Sequence, residues 1–119
     1  MPKKKEIIKE NYLDRRPVRH PDINWSADGD GLVTLEIENT GFFNRIAQKF
    51  FRKPKISYVH LDENGSFIWP LIDGEKSIME YGPLVQERFG EKAEPLYPRL
   101  AKFFQILHSY GFVNFKNEQ

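Results

Sequence analysis

The histidines are the residues of this chain best suited to acid–base or metal chemistry, and there are three of them, at His20, His60 and His108. Their separation matches no metal-ligand spacing, and the absence of cysteine excludes thiolate zinc sites and thiol catalysis. The stretch from Asp28 to Gly31 is similar to the start of a calcium loop, but the ligand pattern fails at Leu32, so a turn is predicted instead. No pair of carboxylates has the apolar surroundings that would raise a pKa. The sequence therefore predicts a protein that is not an enzyme, with no metal and no cofactor.

Composition narrows the class of protein further. A chain of 119 residues, 39% of them hydrophobic and 14% aromatic, is long enough for one domain with a real core. Its net charge of +1 gives no overall field that would attract nucleic acid. No apolar run approaches the ~20 residues that span a bilayer, and the N-terminus lacks the apolar region of a signal peptide. A cytoplasmic protein is predicted.

The first half of the chain predicts strands and one helix. Residues 1–23 are charged and poor in apolar positions, which predicts an N-terminal arm. A hairpin is predicted next, with its turn at 27–31 and its second strand at 32–37. Apolar residues along Phe42–Phe51 recur at helical spacing, which predicts an amphipathic helix that packs on the core or, alternatively, docks on a membrane or partner. The alternating stretch Ile56–Leu61 predicts a third strand, directly before the helix cap Asp62.

Three helices are predicted after that strand. The first spans Glu63–Ile72, with Pro70 bending its last turn. The second begins at the S-x-x-E capping box of Ser77 and ends near Phe89, although Gly82-Pro83 would bend it or delay its start. The third spans about Pro95–Tyr110, and a short closing strand can follow it. The order predicts an α+β domain over 24–119, similar to a winged helix-turn-helix: a three-stranded antiparallel sheet followed by three helices, with an extra helix inserted before the third strand.

The third helix carries more apolar surface than one core contact requires. Its apolar residues cover an arc of roughly 180°, whereas a helix on a single core needs only about 100°. Leu100 and Leu107 are predicted to face the core. The remainder of the arc either contacts a second part of the same chain or forms an apolar groove lined by Phe103 and Ile106, with the basic rim residues Arg99 and Lys102.

The start of the helical half resembles the PqqD family. The run His60–Trp69, read HLDENGSFIW, and then Leu71–Gly74 follow the family pattern L-[DN]-E-x-[AG]-x-x-[IL]-[WL]…[DN]-G. Ser77-Ile78, Phe89-Gly90 and the stretch from Leu100 to Phe112 continue the resemblance, which covers about residues 56–113.

This resemblance implies a peptide chaperone of the RiPP recognition element type. Such proteins bind the leader of a ribosomally made precursor peptide and present it to a modifying enzyme, typically a radical SAM protein. The resemblance also implies that the leader pairs with Ile56–Leu61 as an additional antiparallel strand and lies in the groove between this strand and the third helix. The predicted peptide-binding residues are Ile56, Ser57, Tyr58, Val59, His60, Leu61, Arg99, Lys102, Phe103 and Ile106.

Two other functions stay open from the sequence. A winged-helix outline is also typical of nucleic-acid-binding proteins, although the third helix has only Arg99, Lys102 and Gln105 among its aromatic residues and the helices before it are acidic. An interfacial module that uses Phe42–Phe51 is the third possibility.

Overall fold

The computed structural model describes residues 12–38 and 56–116. The predicted helix at 42–51 and residues 1–11 of the predicted arm lie outside these ranges. Two antiparallel sheets are present in the described part. One joins β1 (Pro17–Arg19) to β5 (Val113–Phe115), and the other has the order β2 (Asn24–Ala27), β3 (Val33–Glu38) and β4 (Ile56–His60).

The three-stranded sheet follows from alternation in the sequence. The side chains of Val33, Leu35 and Ile37 are buried, whereas the residues between them point away from the core. The turn between β2 and β3 is held by Asp28, whose Oδ1 accepts hydrogen bonds from the backbone N–H groups of Asp30 at 2.9 Å and Leu32 at 3.0 Å. The predicted hairpin is therefore confirmed, and its turn aspartate binds backbone.

Three α-helices follow β4, and two of them differ in extent from the prediction. They are α1 (Glu63–Ile68), α2 (Tyr81–Phe89) and α3 (Leu96–Ser109). The first was predicted to reach Ile72, but it ends at Ile68 and continues as a single 3₁₀ turn, Trp69–Leu71. Pro70 explains the change, since it has no N–H for the α-helical bond and its ring crowds the preceding turn.

The capping box forms one turn ahead of α2. The N–H of Ser77 donates to Oε1 of Glu80 at 2.7 Å, and the N–H of Glu80 lies 3.4 Å from Oγ of Ser77. The helix itself begins at Tyr81, so the predicted start at Ser77 is wrong and the alternative of a late start is right. Pro83 is then in the first turn, where a missing N–H breaks no intrahelical bond.

The core lies between the helices and the sheets. Its largest fully buried side chains are Trp69, Tyr81 and Phe104. Leu13 and Ile23 are also buried in it, and β1 pairs with β5 in the register Pro17↔Phe115 to Arg19↔Val113. Residues 12–23 of the predicted arm thus contribute to the core and to a sheet, while the division into arm and domain stays a prediction.

The predicted fold class is confirmed at the level of an α+β protein with a small antiparallel sheet and three helices. The predicted closing strand is also present as β5. Within residues 12–38 and 56–116, no helix has the length and hydropathy required to cross a bilayer.

Candidate functional site

The strand β4 lies at the edge of the three-stranded sheet, with β3 as its one neighbour among the described strands. The N–H of Leu61 donates to the carbonyl of Val33 at 2.9 Å, and the register continues as Leu35↔Val59 and Ile37↔Ser57. In an antiparallel pair, successive residues point their backbone groups alternately towards and away from the partner strand. The N–H and C=O groups of three β4 residues therefore point away from β3: Ile56, Tyr58 and His60.

The side chains of β4 divide between two faces. Val59 and the adjoining Leu61 pack against the core. Tyr58 is 59% exposed on the opposite face, where it lies across from Glu36. Next to it, Nδ1 of His60 is 2.9 Å from Oγ1 of Thr34. The edge of β4 that points away from β3 therefore carries outward N–H and C=O groups. One face of the strand packs on the core, and the other face is polar.

The junction between β4 and α1 is held by two short side chains. Oδ1 of Asp62 accepts a hydrogen bond from the N–H of Gly65 at 2.8 Å, which makes it the N-cap of α1. The buried Ser66 accepts from the N–H of Val33 at 2.8 Å and donates to the carbonyl of Leu61 at 3.2 Å. One hydroxyl thus connects β3, the end of β4 and α1.

Gly65 allows α3 to approach this junction. A Cβ at Gly65 would lie 2.9 Å from Cε1 of Phe103 and 3.4 Å from Cβ of Leu61. The ring of Phe103 also contacts Phe104 edge-on, with 5.2 Å between ring centroids. Because residue 65 has no side chain, the Phe103 ring can lie against α1 beside the end of β4.

A groove of about 450 Å³ opens at this place. Its wall is mostly apolar and is formed by Ile68, Val85, Leu96, Leu100, Phe103 and Ile106. Its polar residues are Asp62, Asn64, Arg99 and Lys102. Such a mainly apolar concavity with a few polar groups is typical of a binding site.

Some polar side chains of the groove already form hydrogen bonds within the described part of the protein, and others do not. Nη1 of Arg99 donates to the carbonyl of Lys92 at 2.8 Å and lies 3.4 Å from the carbonyl of Glu94. Asp62 is engaged as the helix cap. The side chains of Lys102 and Asn64, in contrast, make no hydrogen bond or ion pair to residues of the two described ranges. They are the groove's polar side chains that remain available for a ligand.

Among the residues that the structure describes, Asp73 and Tyr81 have clearly shifted pKa values, and both lie outside this groove. The ammonium of Lys76, 2.9 Å away, together with the N–H groups of Glu75 and Lys76 lowers the pKa of Asp73 to about 2. Burial, reinforced by the charge of Asp73, raises the pKa of Tyr81 to about 12. Both shifts are thus explained by local contacts outside the groove.

The structure brings the predicted site residues together in two adjoining parts. Ile56, Ser57, Tyr58, Val59 and His60 form β4, and Leu61 follows it. Arg99, Lys102, Phe103 and Ile106 line the groove together. No residue of β4 lines the groove, which begins at Asp62, so the strand edge and the groove are consecutive and meet at the junction.

Sequence reasoning did not assign a binding role to several residues of the site. In the groove these are Asp62, Asn64, Ile68, Val85 and Leu96, and at the junction they are Gly65 and Ser66. A glycine and a serine within a helix are both poor helix formers, and that signal could have identified Gly65 and Ser66. Their positions are explained by the close approach of Phe103 to Gly65 and by the hydrogen bonds of Ser66 that connect the strands to α1.

A comparison with protein families finds a match over most of the chain. The family model described as "Coenzyme PQQ synthesis protein D (PqqD)" matches residues 33–113, which run from the first residue of β3 to the first residue of β5. No curated protein and no solved structure shows a significant match.

Proposed function

Because the chain belongs to the PqqD family, which is the RiPP recognition element family, we propose that it captures the leader of a ribosomally made precursor peptide by strand addition. Membership of this family supports a peptide-binding role in PQQ or RiPP biosynthesis in general. The family is one of non-catalytic recognition proteins, so the protein's own contribution is binding, without a chemical step.

The observation that carries the proposal is the combination of a sheet edge and an apolar groove at one junction. An edge strand offers a row of N–H and C=O groups that an extended peptide can pair with, which supplies affinity without regard to sequence. Ile56, Tyr58 and His60 point such groups away from β3. The groove at the end of this strand then supplies pockets for the peptide's side chains, and these give specificity.

The proposed arrangement is that of a winged helix in which the edge of β4 and the groove beside α3 bind successive parts of the peptide. Phe103 and Ile106 lie in the groove wall, and Lys102 lies on its rim. The bound leader would be presented to a radical SAM enzyme, the typical partner of PqqD-like proteins. This partner is part of the proposal and follows from the resemblance of the chain to that family.

The test is a calorimetric titration of the protein with leader peptides encoded next to its gene. We expect binding at micromolar Kd or tighter, which corresponds to ~8 kcal/mol. Amide resonances of residues 56–61 should shift on binding. Absence of heat with every neighbouring leader, together with unchanged amide resonances in β4, would contradict the proposal.

The position of the strand edge permits a sharper variant. Tyr58→Pro removes an outward N–H and should weaken binding strongly, because proline cannot donate to a new strand. Tyr58→Ala is the matched control, since it shortens the same side chain but keeps the N–H. A Tyr58→Pro protein that melts like the wild type and still binds the leader equally well would argue against strand addition.

Binding to nucleic acid is the alternative that the sequence left open. It predicts duplex retardation with a steep dependence on salt, because each neutralised phosphate releases counterions. The apolar wall of the groove and the engagement of Arg99 with the carbonyl of Lys92 favour a peptide. Salt-sensitive retardation that is lost on changing Lys102 would reverse this preference.

A further inference from the structure

The position of the groove relative to β4 limits which part of a bound peptide can reach it. The groove is lined by Asp62 and Asn64 but by no residue of Ile56–His60, so it lies beyond the C-terminal end of the strand. A peptide that pairs with β4 must therefore extend past His60 to place a side chain in the groove.

The direction of the sheet determines which end of the peptide extends in this way. β4 runs antiparallel to β3, and β3 runs antiparallel to β2. Continuing that pattern is favoured, since antiparallel pairing is somewhat more stable per residue and purely antiparallel sheets are over-represented. An antiparallel peptide would have its N-terminal part beside His60 and its C-terminal part beside Ile56. The residues in the groove would therefore precede the residues that pair with β4.

The chemistry of the groove identifies two side chains that such a peptide needs. Ile106, which is 45% exposed, and Phe103 offer apolar surface that a large apolar side chain would cover. Lys102 is the rim cation that makes no hydrogen bond or ion pair within the described ranges, whereas Arg99 is already bonded to the carbonyl of Lys92. A carboxylate is the complementary group for Lys102.

The spacing of these two side chains follows from helix and strand geometry. Lys102 and Ile106 are four residues apart on α3, which separates them by about 6 Å along the helix. Residues two positions apart in a strand lie on the same face about 6.6 Å apart. An extended peptide can therefore place a carboxylate at Lys102 and an apolar side chain at Ile106 when the two stand two positions apart.

We propose that the captured leader has an anchor at its N-terminal side, in which a large apolar residue and an acidic residue stand two positions apart, followed directly by the stretch that pairs with β4. The proposal rests on the proposed function, because it names the class of peptide that the same site selects. It predicts that the order of the two parts, and not only their composition, decides the affinity.

The experiment uses the full chain and two labelled peptides of about twelve residues with the same composition. The anchor-first peptide begins with Glu-Ser-Phe-Ser-Glu and continues with alternating threonine and valine. The anchor-last peptide has the same two blocks in the opposite order. The acid that meets Lys102 could lie before or after the phenylalanine, depending on the direction of α3 relative to the peptide. The peptide therefore has an acid on both sides of the phenylalanine.

Fluorescence anisotropy should give at least tenfold tighter binding for the anchor-first peptide. Replacing both of its acids with lysine should weaken binding to the wild type about two- to fivefold, the usual effect of an exposed ion pair. The Lys102→Glu protein should reverse this preference. N-methylation of alternate amides in the threonine–valine block should weaken binding at one set of positions and not at the other, because only one set faces β4.

Several outcomes would overturn the inference. The predicted order is refuted if both peptides bind equally well or if the anchor-last peptide binds more tightly. If N-methylation still weakens binding at only one set of positions in that case, capture by strand addition stands. An unchanged charge preference in Lys102→Glu would refute the acidic position. If neither these peptides nor the neighbouring leaders bind, the proposed function fails together with the inference.

Discussion

Gly65 and Phe103 are in such close contact that a Cβ on the glycine would lie 2.9 Å from the phenylalanine ring. Gly65 is in α1 and Phe103 is in α3, so their contact sets the distance between the strand–helix junction and the helix that lines the groove. The small residue is therefore needed for the shape of the site, although glycine is a poor helix former.

Gly65→Ala should displace the Phe103 ring and weaken binding of the anchor-first peptide. The stability effect combines a gain of ~1 kcal/mol in helix propensity with a cost of ~1–3 kcal/mol for overpacking, so a small net loss is expected. Urea unfolding and peptide titration measure the two effects separately. Gly29→Ala is the control for the added methyl group, because no heavy atom other than those of its own chain neighbours lies within 4 Å of its added Cβ. A Gly65→Ala protein that is more stable and binds equally well would show that Phe103 can move aside without consequence.

Ser66→Ala should destabilise the protein by about 1–3 kcal/mol. The substitution leaves the N–H of Val33 buried without its 2.8 Å acceptor, and an unsatisfied buried donor costs about that much. Ser109→Ala is the matched control, because its Oγ also donates to a backbone carbonyl, that of Ile106 at 2.8 Å, but in an exposed place. Equal melting temperatures for the two variants would show that Ser66 does not hold the junction.

Much of the fold could be predicted because its strands and helices have strong local patterns. Alternation along residues 32–37 and the cap at Asp62 are local patterns, and the structure confirms them with β3 at Val33–Glu38 and with Asp62 as the N-cap of α1. The start of α2 is ambiguous in the sequence, because Ser77 carries every local sign of a helix start while Gly82-Pro83 favours a later one. The helix begins late, at Tyr81, which leaves Pro83 in its first turn. The pairing of β1 with β5 joins the two ends of the described chain, and no local pattern indicates such a distant contact.

The candidate site was predicted only in its outline. Helical periodicity placed Phe103 and Ile106 in one groove, and the structure brings them together there. Periodicity does not reveal which rim cation is already engaged, since the bond from Arg99 to the carbonyl of Lys92 depends on the path of the 3₁₀ turn Gly90–Ala93. It also does not reveal that the groove begins only after β4 ends.

Tyr81→Phe should change how stability depends on alkaline pH. Oη of Tyr81 donates to the carbonyl of Leu71 at 3.2 Å, so its loss should cost ~1 kcal/mol at neutral pH. Burial raises the pKa of Tyr81 from 10.0 to about 12, so the folded state favours the neutral phenol more than the unfolded state does. Its contribution is complete below pH 10 and is lost as pH rises towards 12.

The measurement is urea unfolding of the wild type and Tyr81→Phe at several pH values between 8 and about 11.5. The wild type should lose stability faster than the variant over this range, by roughly 2 kcal/mol at the upper end. Because both proteins share every other titrating group, the difference isolates Tyr81. Parallel curves would mean that the phenol reaches solvent in the folded protein.

Leu107→Ala and Ile106→Ala should separate the core side of α3 from its groove side. Leu107 is 3% exposed, so its truncation leaves a sealed cavity and should cost ~2–5 kcal/mol of stability. Ile106 is 45% exposed, and its truncation should cost ~1 kcal/mol or less while it weakens the anchor-first peptide several-fold. Gln105→Ala is the matched control, because this exposed neighbour on α3 does not line the groove.

The comparison between stability and affinity is what decides the role of the apolar arc. If α3 serves only the core, Ile106→Ala loses no affinity beyond what its loss of stability explains, and a folded Ile106→Ala protein binds the peptide as Gln105→Ala does. If the arc also faces a ligand, Ile106→Ala loses affinity at nearly unchanged melting temperature. Thermal melting and anisotropy on the three variants give both quantities. An Ile106→Ala protein that melts as poorly as Leu107→Ala and binds peptide normally would place the whole arc in the core and remove the groove from the site.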